Sequence, residues 1–164
     1  MCYAQRNEVP PIDEYTIEFA SIDDADQILE LQKLAYISEA EVNDDFTIPP
    51  LHQTITEIRS EFSQQVFLKA TIEDKIIGSV RCYLEKGTCY IGKLIVHPDW
   101  QNRGIGTRLL YAAEKQFPNA DRYELFTGQK SEKNLHIYEK CGYRRFKRQV
   151  ESDKLTLLFL EKMA

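Results

Sequence analysis

Apolar and polar positions recur along this chain in runs short enough to be single elements. Tyr15 to Ala20 alternates, which predicts an opening strand. Ser21 with Asp23, Asp24 and Asp26 supplies a cap and an acidic first turn, and Ile28, Leu31, Leu34 and Ala35 follow as one apolar stripe, predicting an amphipathic helix. Glu39, Glu41, Asp44 and Asp45 then form an acidic connection around Phe46, and Pro49-Pro50 forces an extended break. Leu51, Ile55, Ile58 and Phe62 repeat at helical spacing through a second helix. Val66 to Ile72 and Ile76 to Leu84 read as strands joined at Glu73-Asp74-Lys75, the second interrupted by Gly78. Lys86-Gly87 is the next tight turn, so Leu84 faces Cys89, Cys82 faces Ile91, and Cys82 and Cys89 are not a cross-strand pair.

The strand Tyr90 to Val96 stops at His97-Pro98-Asp99-Trp100 and passes through the turn Gln101-Asn102-Arg103-Gly104-Ile105-Gly106 into a helix running to about Phe117. Tyr123 to Thr127 reads as a short buried strand. Ser131 with Asn134 opens a last helix that Cys141-Gly142 closes, and Tyr143 to Glu151 and Lys154 to Glu161 read as a hairpin across Ser152-Asp153. The order is β-α-α-β-β-β-α-β-α-β-β, an α/β domain around one mixed central sheet over residues 15–164, with residues 1–14 as a polar lead-in.

A length of 164 residues, 43% apolar and 29% charged, suits one globular domain. No run approaches membrane-spanning length and the first residues lack a signal-peptide core, so a cytoplasmic chain is expected. The net charge of -5 argues against nonspecific affinity for nucleic acid or an anionic membrane. Arg144, Arg145, Lys147 and Arg148 form a local basic run, read either as a solvated strand face or as a phosphate contact. Cys2, Cys82, Cys89 and Cys141 have no metal-ligand spacing, nor does any pair among His52, His97 and His136; reduced thiols and no metal are expected.

Two glycines one residue apart at a helix mouth let the backbone approach a bulky anion, and the unpaired first-turn N–H groups with the helix dipole favour a phosphate there. Arg103 places a cation beside that turn, where it would oppose the dipole without an anion. The turn lacks the Gly-Lys-Ser/Thr ending of a P-loop and the third glycine of a dinucleotide fingerprint. Leu94-Ile95-Val96-His97-Pro98 followed by Gln101-x-x-Gly104-x-Gly106 resembles the acyl-CoA pyrophosphate motif of the GCN5-related N-acetyltransferases (the GNAT superfamily). Asn134 to Tyr143 is similar to that family's downstream segment of an Asn, a Tyr four residues on, and a Gly-aromatic pair.

The resemblance covers nearly the whole chain and implies acetyl transfer from acetyl-CoA to a primary amine of a small molecule or peptide by direct attack in a ternary complex. It implies that Leu94, Ile95, Val96, Gln101, Asn102, Arg103, Gly104, Ile105, Gly106, Thr107, Asn134, Tyr138 and Lys140 bind the cosubstrate. In that pattern the Leu94 amide contacts the thioester oxygen, Val96 holds the pantetheine arm by its backbone, and Tyr138 is the general acid for the leaving thiolate. Some members carry a Glu base at the position of Tyr90, and a phenol that titrates near ten is a poor substitute, so the base is left to a water, Glu39 or Glu41. Glu39, Glu41, Asp44, Asp45 and Tyr90 are expected at the acceptor, with a cationic amine favoured by the acids. A homodimer is left open. The rival reading is a noncatalytic acyl-CoA-binding sensor or scaffold, against which stands the presence of both Asn134 and Tyr138.

Overall fold

The computed structural model describes residues 15–164; the lead-in 1–14, with Cys2, lies outside them. Its strands are β1 (Thr16–Phe19), β2 (Val66–Ile72), β3 (Lys75–Glu85), β4 (Thr88–Val96), β5 (Arg122–Gly128), β6 (Arg144–Val150) and β7 (Thr156–Met163). They form one sheet in the order β1-β2-β3-β4-β5-β7-β6. Every neighbouring pair is antiparallel except β4 and β5. The helices are α1 (Ala25–Asn43), α2 (Pro49–His52), α3 (Ile55–Glu61), α4 (Ile105–Glu114) and α5 (Glu132–Lys140). Among the described residues no helix is long and apolar enough to cross a membrane.

Local chemistry sets the hairpins. Glu73 and Asp74, then Lys86 and Gly87, all take positive φ, the geometry of two-residue turns whose twist matches the strands they join. Leu84 pairs with Cys89 and Cys82 with Ile91, as the turn predicts. Cys82 and Cys89 are nevertheless diagonal neighbours, and the nearby Cys89 thiol, with burial, pushes the Cys82 thiol up. Gly78 sits beside a bulge on β3, and a Cβ there would lie 2.9 Å from Leu109 Cδ1, so its bareness lets α4 approach the sheet.

Two apolar clusters fill the two sides. On one, Leu109, Leu110 and Ala113 of α4 and Leu135 and Tyr138 of α5 pack on Val80, Cys82, Ile91, Leu125 and Leu160. On the other, Ile28, Leu29 and Leu31 of α1 and Ile58 of α3 pack on Phe67, Ile76 and Ile95.

Three elements depart from the sequence reading. α1 continues to Asn43, so Glu39 and Glu41 are helical and the connection is shorter than expected. Glu39, Ala40 and Glu41 are good helix formers, and only at Asp44, with φ 47, does a left-handed residue end the helix. The second helix is two short ones, because Gln53 is extended and Thr54 caps a new start by accepting the Glu57 N–H at 3.2 Å. The last hairpin closes through residues 151–155 rather than through Ser152-Asp153 alone.

Candidate active site

The parallel pair β4 and β5 stays together for only three residues, Thr88 to Tyr90 against Arg122 to Glu124. Beyond them the strands part, and a cavity of about 1240 Å³ occupies the opening, lined by residues 90–96 of β4 and 124–128 of β5. β4 also carries a bulge. It places one more residue than β3 between the pairs Arg81↔Gly92 and Ser79↔Ile95, and Lys93 takes φ 49 there. The extra residue switches faces: Ile91 packs on the α4 side, whereas Ile95 packs against α1 and α3. Leu94 and Val96 turn toward the α4 side in consequence.

At the end of β4 the chain turns back at once. The Gln101 side-chain amide donates to the Val96 carbonyl at 3.1 Å, and Gly104, with φ 80, forms the N-cap of α4. Among the described residues no side chain caps that helix start. Among the described residues, a Cβ on Gly104 would meet nothing within 4 Å, and one on Gly106 would meet only Val96 Cγ2 at 3.8 Å. Uncapped first-turn N–H groups therefore face open space at the cavity wall, which fits a pyrophosphate. Gln101, Asn102, Gly104, Ile105, Gly106 and Thr107 all line the cavity. Arg103 does not: its guanidinium lies over the Trp100 ring at 5.4 Å.

α5 supplies the far wall through Asn134, Tyr138 and Lys140. Asn134 Nδ2 reaches Glu39 Oε1 at 3.4 Å and Thr127 Oγ1 at 3.5 Å, while the Ser131 hydroxyl donates to Glu39 Oε2. Glu39 on α1 is thereby tied to the N-terminal turn of α5. Tyr138 is buried, its ring edge-on to Tyr143 at 6.3 Å, and its hydroxyl makes no side-chain hydrogen bond among the described residues. Burial, then the charges of Tyr36 and Glu39, raises this phenol above the ordinary tyrosine value, so it holds its proton.

The α1–α3 side contains groups that sequence reasoning did not find. Burial pushes the Tyr36 phenol up to about 12, with Arg81 opposing and Glu39 reinforcing. Arg81 is buried, stacks over Phe67 at 4.7 Å and donates to Glu61, Gln32 and Gln53. Gln32 also donates to Gln53 Oε1 and the Pro50 carbonyl, each at 2.9 Å, so this network fixes the break between α2 and α3. Lys93 lines the same part of the cavity. The available signal was a lone cation inside an apolar strand, Arg81 between Val80 and Cys82 and Lys93 between Gly92 and Leu94.

Of the residues expected at the acceptor, Glu39 and Tyr90 line the cavity, and Tyr90 stacks on Tyr83 at 5.1 Å. Glu41, Asp44 and Asp45 lie outside it. The Asp44 carboxylate, 94% exposed, is 3.9 Å from Lys154. Asp45 accepts the Thr47 N–H at 2.9 Å, and its bonds to Thr47 hold its carboxyl below the usual range. His97 Nδ1 accepts the Asp99 N–H at 3.1 Å and His52 Nε2 donates to the Phe46 carbonyl at 2.8 Å, which gives both rings structural roles. His136 lines the cavity. The basic run is spent on the exposed edge strand β6, where Arg144 pairs with Glu161 at 3.2 Å and Arg145 with Glu139 at 2.6 Å. No group of three His, Cys, Asp or Glu among the described residues could hold a metal ion.

Residues 25–143 match the family model described as the Acetyltransferase (GNAT) family. The chain is 30% identical over 123 residues to UPF0157 protein YqkA of Bacillus subtilis, a match covering 74% of this chain and 35% of that protein. It thus spans about a third of YqkA's length. It is 34% identical over 77 residues to glucosamine 6-phosphate N-acetyltransferase of Schizosaccharomyces pombe, covering 43% of this chain and 68% of that one. Among solved structures, smu.2055 from Streptococcus mutans superposes with a TM-score of 0.76 at 18% identity, covering 90% of this chain and 98% of the other. The PaiA N-acetyltransferase of Thermoplasma acidophilum in complex with coenzyme A does so at 0.67 and 19% identity, covering 92% and 99%.

Proposed function

The chain belongs to the acetyltransferase (GNAT) family, and from that premise we propose that it transfers an acetyl group from acetyl-CoA to a primary amine of a small molecule or peptide, in a ternary complex. The observation that carries this reading is one cavity reaching from the uncapped start of α4 to Tyr138 and Glu39. Acetyl-CoA supplies the thioester. The amides at the start of α4 hold its pyrophosphate, Lys140 adds a cation, and the freed edge of β4 from Leu94 to Val96 orients its arm, with the Leu94 amide directed at the thioester oxygen. Tyr138, kept protonated by burial, gives its proton to the leaving thiolate. Asn134 positions the arm or an ordered water. Glu39, the one acid of the four that lines the cavity, receives the amine proton directly or through water. A sensor would need the cradle but not a proton donor within the cavity, which supports an enzyme over a binding module.

Thermal unfolding with saturating acetyl-CoA, compared with equal NAD and ATP, tests the cosubstrate; acetyl-CoA is expected to raise Tm the most. A panel of amines, peptides and amino sugars with CoA release as readout then tests transfer. It includes glucosamine 6-phosphate, because a relative is named for acetylating it. A larger shift with either nucleotide, or none with acetyl-CoA, would sink the assignment.

A further inference from the structure

Lys93 occupies the bulge at which β4 changes faces, with φ 49, and its side chain lines the cavity on the α1–α3 side. A half-buried lysine so placed would gain from a counter-charge, and among the described residues it makes no ion pair and no side-chain hydrogen bond. The neighbouring carboxylate, Glu61, is already held by Arg81. Two further acids of this opening are also engaged: Glu39 accepts from Ser131 and Asn134, and Glu124 pairs with Arg122 at 3.0 Å. Glu61 is thus the carboxylate that acts on both Arg81 and Lys93. Burial foremost, then the charge of Arg81, pulls the Lys93 ammonium below its usual value, while Glu61 partly offsets the fall. An arriving anion would offset these penalties by direct attraction. Arg81 itself is committed to Glu61, Gln32 and Gln53, which leaves Lys93, of these two cations, able to turn to a ligand.

We propose that the acceptor is an amine that also carries an anionic group, a phosphate or a carboxylate, and that Lys93 receives that group on the α1–α3 side of the cavity. This rests on the acetyltransferase reading and names the substrate class of the same site. It replaces the cationic acceptor that the acidic residues suggested, since three of those four acids lie outside the cavity. Lys93 offers a point charge that suits either anion, and a charge-assisted contact of this kind is worth roughly a tenfold to hundredfold preference over the uncharged analogue.

The test begins with protein saturated with CoA, so that the start of α4 is filled. Inorganic phosphate and acetate are titrated separately at constant ionic strength while Tm is followed, in wild type, Lys93→Met and Lys93→Arg. Wild type and Lys93→Arg are expected to respond to at least one anion, and Lys93→Met to neither; which anion acts separates phosphate from carboxylate. Initial rates on matched amines follow: O-phosphoethanolamine against ethanolamine, and β-alanine against β-alaninamide. The charged member should be favoured about tenfold or more in kcat/KM, and Lys93→Met should erase the preference while Lys93→Arg retains most of it. Equal anion responses in wild type and Lys93→Met would overturn the anion site even if acetyl-CoA binds and other amines are acetylated. So would a charge preference that survives Lys93→Met, or a rate loss in that variant indifferent to acceptor charge. Failure of acetyl-CoA to bind would instead sink the acetyltransferase reading, and the anion titration of wild type against Lys93→Met would still decide the role of Lys93.

Discussion

Replacing Tyr138 with Phe removes a single oxygen whose structural and chemical roles the geometry separates. The ring stays, and with it the edge-on contact to Tyr143 at 6.3 Å and the packing of α5 in the α4-side cluster. The hydroxyl makes no side-chain hydrogen bond among the described residues, so no buried partner is orphaned by its loss. Stability should change by less than about 1 kcal/mol, a Tm shift below roughly 2–4 °C for a chain of this size. The chemical cost is of another order. Loss of a positioned proton donor is worth roughly 10²- to 10⁴-fold in rate, or about 2.7 to 5.4 kcal/mol of barrier. The assay is single-turnover release of the CoA thiol at saturating acetyl-CoA with an acceptor from the panel, so that product release does not mask the chemical step. The dissociation constant for acetyl-CoA is measured in parallel and should stay within about twofold. Because burial raises the phenol above its ordinary value near ten, the Tyr138-dependent step in wild type should show no alkaline loss below about pH 10. A single-turnover rate within threefold of wild type, with Tm unchanged, would remove Tyr138 from proton transfer.

Gly104→Val forces a branched residue into φ 80, a strain of about 1–2 kcal/mol, and stands a side chain in front of the uncapped start of α4. Acetyl-CoA affinity measured by calorimetry should fall first, with Tm lower by a few degrees. Glu39→Gln should lower single-turnover rate with an intact fold by circular dichroism, whereas the pair Asp44→Asn and Asp45→Asn, outside the cavity, should leave the acceptor KM unchanged. Arg81→Met removes the cation that joins α1, α3 and the α2–α3 break to β3, and should cost about 3 kcal/mol, roughly 6–12 °C in Tm by calorimetric scan. That magnitude sits at the low end for a buried pair because Glu61 keeps 29% of its side chain exposed.

What could be read in the sequence was whatever is encoded over a few adjacent residues. The two-residue turn Lys86-Gly87 was enough to set the register of the β3–β4 hairpin, and the stretch from His97 to Gly106 announced a strand stop, a glycine turn and a helix start because the three are contiguous. Signals that depend on burial were less faithful. The apolar stripe of α1 fades after Ala35, yet Glu39, Ala40 and Glu41 keep the backbone helical, so the stripe underestimates the helix. Conversely, Leu51, Ile55, Ile58 and Phe62 keep a helical period across a break, because a partly extended Gln53 costs the pattern nothing and is held by Arg81 and Gln32 from distant elements.

The deepest loss of legibility lies in β4, and it bears on the acceptor. Under unbroken alternation Ile91, Lys93 and Ile95 would share one face of the sheet, and the lysine would be set against the apolar layer under α4. One extra residue in the strand makes that inference fail: Ile91 and Ile95 belong to opposite cores, and the bulged Lys93 joins Arg81 and Glu61. No pattern of side chains in Tyr90 to Val96 marks the insertion, because the positive φ falls on a lysine rather than a glycine while Gly92, beside it, does not need one. The same insertion turns Leu94 and Val96 toward the α4 side and so places the backbone that would orient acetyl-CoA and the cation that would select the acceptor on consecutive residues facing opposite ways. A strand without the bulge would have to give up one of the two.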